Sequence, residues 1–376
     1  MFLLALPSEI LILIFNYLGS AYFRKGPGQL TICKDWYRFA QVVLYRHLEL
    51  TPAILRQVCS SEHADKSLLL IQESTESLDI TMKGYTKWMT VRVPQGHPRD
   101  AFSFWRRGAG RALLTEWTST LNKDLARLAV VAQKSRKLRW MRVDAQVERH
   151  SLHRNFAHRN YLSVRVVQSL LSLDNLQVLE LDLGGTGLSR LPKKKDGDGD
   201  NELHACKAVG ALLLTLCRLR LRMGSICADA LRPPSPPFPA SSGQTDCRGD
   251  LRLSEVLVHL GLYHGSSDST TLASASYCSR CAFAGEDGAS GGGGFPELMA
   301  EMESQAGALA ARMAKPTVVR VLAHTLPYAQ VYASDILSGR RIRPNDSSVW
   351  DDDGYSVSDG SSVDIEDTSD DVACVL

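Results

Sequence analysis

The chain has 376 residues, 44% of them hydrophobic and 22% charged, which places most of it among globular chains and excludes a fibrous or wholly disordered one. The net charge of +2 hides a division: residues 345–376 carry ten Asp/Glu and no Lys or Arg, so residues 1–344 hold 43 basic against 31 acidic side chains, a charge of +12. A uniformly basic nucleic-acid binder is not indicated, and nine irregularly spaced cysteines are too few for a disulfide scaffold and fit a reducing compartment, cytoplasm or nucleus.

The chain opens on MFLLALPSEILILIF. This run lacks the basic start and small-residue cleavage site of a secretory signal, and Pro7, Ser8 and Glu9 interrupt it before it reaches a spanning length, so no membrane partner is expected. Residues 7–18 read as a helix: Pro7 suits its first turn, Glu9 suits its positive end, and Ile10, Leu11, Ile14, Phe15 and Leu18 form a broad apolar stripe. Gly19 reads as its stop and Gly26-Pro27-Gly28 as a loop. A second helical stretch runs from Leu30, with Cys33, Trp36, Tyr37, Ala40, Val43 and Leu44, and ends near Tyr45-Arg46-His47-Leu48. Fifty residues are few for an independent core, so this unit is expected to lean on a partner or on the chain beyond residue 50.

Past that point the pattern changes. Strand-like runs recur at 78–82, 138–143, 178–183, 218–223, 255–260 and 318–322. Helical patterns lie between several of them, over 111–134, 204–216 and from Pro296 through Met313. Leu173, Leu176, Leu179 and Leu181 have the spacing LxxLxxLxL, and Leu213, Leu216, Leu219 and Leu221 repeat it forty residues later. Leu138, Met141 and Val143 form a degenerate earlier copy. Strand–helix units with apolar edges read as a stacked solenoid, with an ordinary α/β core as the other reading. Segments near 192–202, 232–250 and 264–295 are charged or rich in Pro, Ser and Gly and read as loop insertions. The tail from Asn345 reads as disordered, with Trp350 and Tyr355 able to dock locally.

Leu6-Pro7-Ser8-Glu9-Ile10-Leu11 through Tyr17-Leu18 resembles the opening of an F-box, LPxEILxxIxxYL. Leu30 to Ala40, containing Cys33-Lys34-Asp35-Trp36, and Val43-Leu44-Tyr45-Arg46-His47-Leu48 resemble the family's second half. The likeness covers about residues 4–50; the stretch 19–29 is longer than the family's and lacks its common Asp-Leu pair. With the repeats behind it, the chain is similar to fungal-type F-box/leucine-rich-repeat-like proteins. That resemblance implies an α+β or α/β chain of three parts: a helical F-box over 1–50, an irregular leucine-rich-repeat-like solenoid over 51–344, and an acidic tail over 345–376. It implies a substrate-recognition subunit of an SCF-type ubiquitin ligase, not itself an enzyme. Such a subunit binds a Skp-type adaptor and, through it, a cullin–RING ligase, and holds a protein substrate on the repeats. Leu6, Pro7, Ile10, Ile14, Leu18, Trp36 and Leu44 would be its adaptor contacts. A scaffold that uses the same solenoid without ubiquitin transfer is the alternative.

The remaining constellations assemble no catalytic, cofactor or metal set. Cys278 and Cys281 form a CxxC, but Cys247, His259 and His264 supply no second pair at a zinc spacing. Asp196, Asp198 and Asp200 begin like a calcium loop, yet Asn201 and Lys207 stand where Gly and Glu are needed. Gly184-Gly185-Thr186-Gly187 lacks the rest of a phosphate loop and reads as a turn. Arg149, His150, His153, Arg154, His158 and Arg159 read as a solvated basic face. Ser358, Ser361, Thr368 and Ser369 lie among acids, so the tail could mask the basic body more tightly when phosphorylated.

Overall fold

A strand that is apolar at every second position buries one face and leaves the other for polar side chains. Ser77–Met82, Val178–Leu183 and Arg218–Met223 alternate in this way, and in each the apolar set is buried while the other set stays partly open. The computed structural model describes residues 6–85, 109–145, 160–186, 188–189, 204–234, 251–262, 273–274, 276–277, 294–325, 330–345, 352 and 354–357. At its centre is an open ten-stranded sheet. Seven strands run parallel in chain order: β1 (His47–Leu50), β2 (Ser77–Met82), β3 (Trp140–Ala145), β4 (Val178–Leu183), β5 (Arg218–Met223), β6 (Glu255–His259) and β7 (Val318–Thr325). Three antiparallel strands finish it: β8 (Gln330–Asp335), β9 (Arg340–Arg343) and β10 (Tyr355–Val357).

The helices are α1 (Ser8–Lys25), α2 (Lys34–Arg46), α3 (Pro52–Ser60), α4 (Ala64–Ser74), α5 (Ala109–Lys134), α6 (Val164–Leu171), α7 (Ala205–Leu212) and α8 (Phe295–Arg312). Because strand order equals chain order, crossovers of one hand place their helices on one face of the sheet. A single apolar cluster accordingly joins the inner faces of α3 to α8 to one row from each of the seven parallel strands, including Leu78, Met141, Leu179, Leu219, Val256 and Val319. The leucine repeats occupy that row. Leu179 and Leu181 pair with Leu219 and Leu221 on one side and with Met141 and Val143 on the other, and Leu173, Leu176, Leu213 and Leu216 are buried beneath them.

Register is set identically at each step. The backbone N–H just before each strand donates to the carbonyl of the equivalent residue one strand earlier: Glu76 to Arg46 (2.8 Å), Arg139 to Glu76 (2.9 Å), Gln177 to Arg139 (2.8 Å), Cys217 to Gln177 (2.7 Å), Ser254 to Cys217 (2.8 Å) and Thr317 to Ser254 (2.8 Å). Ser254 and Thr317 repeat the bond with their hydroxyls, to the same carbonyls of Cys217 and Ser254.

α1 and α2 form a helical unit with a core of its own: Leu11, Phe15, Phe23, Trp36, Ala40 and Val43. Gly19 does not end α1. It bends it, at φ +74°, a backbone state open to glycine at little cost, and the continuation to Lys25 brings Phe23 edge-on to Phe15 at 5.6 Å. The unit is tied to the sheet edge by Arg24 to Glu49 at 3.0 Å and Arg46 to Glu76 at 2.7 Å.

Several expectations change. His47–Leu50 is not the end of a helix but the first strand, so the sheet begins inside the segment that resembles an F-box. α3, α4 and α6 are short helices that periodicity alone does not single out; α3 has a clear cap, the Thr51 hydroxyl accepting the Ile54 N–H. The acidic tail is not wholly disordered: Tyr355–Val357 pairs with Arg341–Arg343, and Arg343 sits over the Tyr355 ring at 5.8 Å. The insertions read near 192–202, 232–250 and 264–295 lie largely outside the described residues, as do Trp350, the 149–159 basic run, the 196–200 aspartates and the tail serines and threonine.

The one-sided core gives a direct stability contrast. Leu221→Ala, fully buried on β5, is expected to cost about 2–5 kcal/mol in denaturant unfolding. Leu214→Ala, 49% exposed in the turn ahead of β5, should stay within about 0.5 kcal/mol of wild type.

Candidate functional site

α1 carries apolar residues on two sides. Leu11 and Phe15 face α2, with Leu18 packed beside them. Ile10, Leu13 and Tyr17, spaced i, i+3 and i+7, form a second stripe that no part of the described chain covers, and Leu6 continues it just before the helix. Leu13 is 62% and Tyr17 93% exposed. Ile12, Ile32, Tyr37 and Val42 add further exposed apolar surface on the same small unit.

The resemblance-derived contacts divide on this geometry. Leu6, Pro7 and Ile10 are exposed and Ile14 is half-buried. Leu18 and Leu44 are half-buried against the helical core. Trp36 is only 8% exposed and packs edge-on against Phe15 with ring centroids 4.5 Å apart. Trp36 is therefore a core residue that holds α2 on α1, not a surface contact. Leu13 and Tyr17, which the resemblance does not single out as contacts, complete the exposed stripe at helical spacing from Ile10.

Between this unit and the sheet lies a cleft of about 210 Å³, with Ile12, Asn16 and Val42 on one wall and Ser74, Glu76 and Lys137 on the other. Arg46 crosses it, donating to Asn16 Oδ1 at 3.3 Å and pairing with Glu76.

The second surface is the face of the sheet turned away from the helices. In-register pairing lines up Glu49, Asp79, Arg142, Glu180 and Arg220 in one row, and Thr81, Asp144, Asp182, Arg222 and His259 in the next. Arg142 lies 3.8 Å from Asp79, 3.5 Å from Asp144 and 4.0 Å from Glu180. Glu255 receives both Arg218 (2.7 Å) and Arg220 (2.9 Å). Beyond β5 the same face carries a separate apolar cluster, Leu257, Leu322, Val331, Ala333 and Ile342, beside the Arg320–Asp335 pair at 3.5 Å.

At the upper end of this face Asp182 faces Arg222 at 3.7 Å and accepts the Gly184 N–H at 3.1 Å. The glycine run after β4 is thus a side-chain-capped turn, as read from the sequence; a Cβ at Gly184 would lie 2.7 Å from Arg222 Cδ. Burial lifts the Asp182 carboxyl above its ordinary pKa of 3.8, more than Arg222, the Gly184 amide and Arg142 lower it. Burial also lowers Arg222, against Asp182 and Asp144. The buried Tyr161 phenol is pushed well above its usual range, first by burial and then by Asp144 and Asp182.

One described cluster has the chemistry of a metal centre: His204, Cys206 and Cys227, all buried, with donor atoms within 4.8 Å of one another. It shares no residue with the zinc candidates weighed from spacing. Of those, Cys278, Cys281, Cys247 and His264 lie outside the described residues, and His259 is buried on β6 with Nδ1 accepting the Gly261 N–H at 3.0 Å. Among the described residues no helix is long and apolar enough to cross a membrane. No protein-family model matches the chain, and no curated protein matches it.

The Asp182–Arg222 pair makes two predictions. Arg222→Met leaves a buried carboxylate without its cation and should cost about 3 kcal/mol, while Arg222→Met with Asp182→Leu should recover most of that in a denaturant double-mutant cycle. The folded chain also holds the Asp182 proton more readily than the unfolded one. This carboxyl therefore adds stability as pH falls through its raised pKa toward 3.8, a gain absent from Asp182→Asn. Urea unfolding at stepped pH should show the stability of wild type rising relative to the variant as pH falls over that window; a constant or falling relative stability would contradict the assignment.

Proposed function

We propose that the chain is a non-catalytic receptor subunit of an SCF-type ubiquitin ligase. Its helical unit docks on a Skp-type adaptor, and its strand–helix array, taken as an irregular leucine-rich-repeat solenoid, holds a protein substrate. Holding the substrate beside a ubiquitin-charged enzyme raises effective concentration and needs no chemistry from this chain.

The observation that carries the reading is the double-sided α1. A helix apolar on both sides is normally buried on both. Here one side packs on α2 and the other, Ile10, Leu13 and Tyr17, faces outward beside the Leu6-Pro7 start of the F-box-like motif. Exposed apolar patches of this kind mark partner surfaces, and burying each such side chain contributes about 1.5–3 kcal/mol. For the substrate side, the support is the regular ladder of seven parallel strands with its helices on one face, which leaves the other face for recognition.

Co-purification with the host's Skp-type adaptor tests the reading. Wild type should capture the adaptor one to one. Ile10→Asp with Leu13→Asp, both on the outer stripe, should abolish capture, and Leu214→Asp on the sheet body should not. A folded wild-type chain that captures no adaptor would remove the ligase reading and leave the scaffold.

A further inference from the structure

We propose that His204, Cys206 and Cys227 bind a zinc ion on the helix side of the sheet, with Asp229 orienting the imidazole. The donor set is one ring nitrogen and two thiols, the combination that suits a borderline-soft divalent cation. A tetrahedral zinc with bonds of about 2.0 Å to nitrogen and 2.3 Å to sulfur holds its donors about 3.5–3.8 Å apart. Here Cys227 Sγ lies 3.9 Å from His204 Nδ1, and the three donor atoms fall within 4.8 Å. Modest side-chain movement closes them on a common centre.

Two buried thiols alone would be ordinary packing. The histidine changes that. His204 is 7% exposed and turns Nδ1 to Cys227 Sγ, while Nε2 faces Asp229 Oδ2 at 3.6 Å, just beyond a direct hydrogen bond. A ligating histidine that offers its second ring N–H to a carboxylate is the usual second layer of a zinc site, fixing tautomer and ring angle.

The backbone around the cluster is held in place. His204 precedes α7 and its carbonyl accepts from Gln168 Nε2 at 3.3 Å. Cys206 lies in the first turn of α7, and Cys227 precedes the short 3₁₀ turn Ala228–Leu231. The two segments touch through Gly210, where a Cβ would lie 2.5 Å from the Asp229 carbonyl oxygen and 2.6 Å from that of Arg232. Arg232 pairs with Asp229 at 3.1 Å and steadies the carboxylate.

On binding, both thiols lose their protons, so two thiolates balance the dication, and water takes the fourth position. The ion then staples the helix before β5 to the turn after it.

The test is metal analysis of the full chain, purified under reductant without chelator and passed through gel filtration. One zinc per chain is expected. Cys206→Ser and Cys227→Ser should lose it, and Cys278→Ser with Cys281→Ser should keep it. Cobalt substitution should give a thiolate-to-cobalt absorption band that follows the same pattern. Should the cysteine variants not fold, Asp229→Asn decides. Its side chain is 33% exposed, and it should weaken zinc in a chelator competition by about 10–100-fold with the fold intact. A wild-type chain that carries no zinc and takes none from zinc solution overturns the site, as does zinc that departs with Cys278 and Cys281. An unchanged affinity in Asp229→Asn overturns the role given to Asp229.

Discussion

Each strand of the main ladder has one row of side chains that must leave water and one row that need not, and the N–H ahead of each strand is bound to the strand before it. Shifting a strand by one residue would carry Arg218, Arg220 and Arg222 into the core and put Leu219 and Leu221 outside. The pre-strand bonds and the leucine rows therefore enforce the same register. Magnitudes say which face holds the fold. Each fully buried leucine contributes about 1.5–3 kcal/mol. The ion pairs of the half-exposed Arg142, at 3.5–4.0 Å, contribute about 0–1 kcal/mol each. The helix face supplies the stability. The charged face sets Arg142, Arg220 and Arg222 against acids on neighbouring strands, while Glu49 faces Asp79 and Asp144 faces Asp182 with like charge.

The helical unit obeys a different constraint. Its core of six buried residues is distinct from the main cluster, and it meets the sheet through the polar links of Arg24 and Arg46 to Glu49 and Glu76 and through Tyr45, which packs on the main cluster. Those links fix its place at the first strand without consuming the outer stripe of α1. The bend at Gly19 makes this possible, because it folds Phe23 back onto Phe15 and leaves Ile10, Leu13 and Tyr17 turned outward.

Much of this was legible in the residues. β4 and β5 span the runs 178–183 and 218–223 read from their alternating leucines, and the LxxLxxLxL spacing marks the row that points to the core. β1 was hidden because His47–Leu50 continues an apolar helical stretch; only its pairing to β2 makes it a strand. β8 to β10 are short, antiparallel and rich in Arg, Ser and Asp, so their strand character comes from pairing and not from pattern. On the candidate surface, the motif singles out α1 but does not separate its two faces. Trp36 looks like any other motif residue until its ring is seen against Phe15. The His204 cluster had no spacing to announce it: Cys206 and Cys227 lie on either side of a strand, and only the close approach at Gly210 brings them together.

The central claim is that partner binding belongs to the outer stripe of the helical unit while the strand ladder stays intact behind it. Hydrogen exchange of the full chain with and without a Skp-type adaptor measures this directly. The account predicts added protection confined to residues 6–46, with the amides of Arg139, Gln177, Cys217 and Ser254 slow and unchanged in both states. Protection that appears on the strands instead, or none on α1 at saturating adaptor, would contradict it.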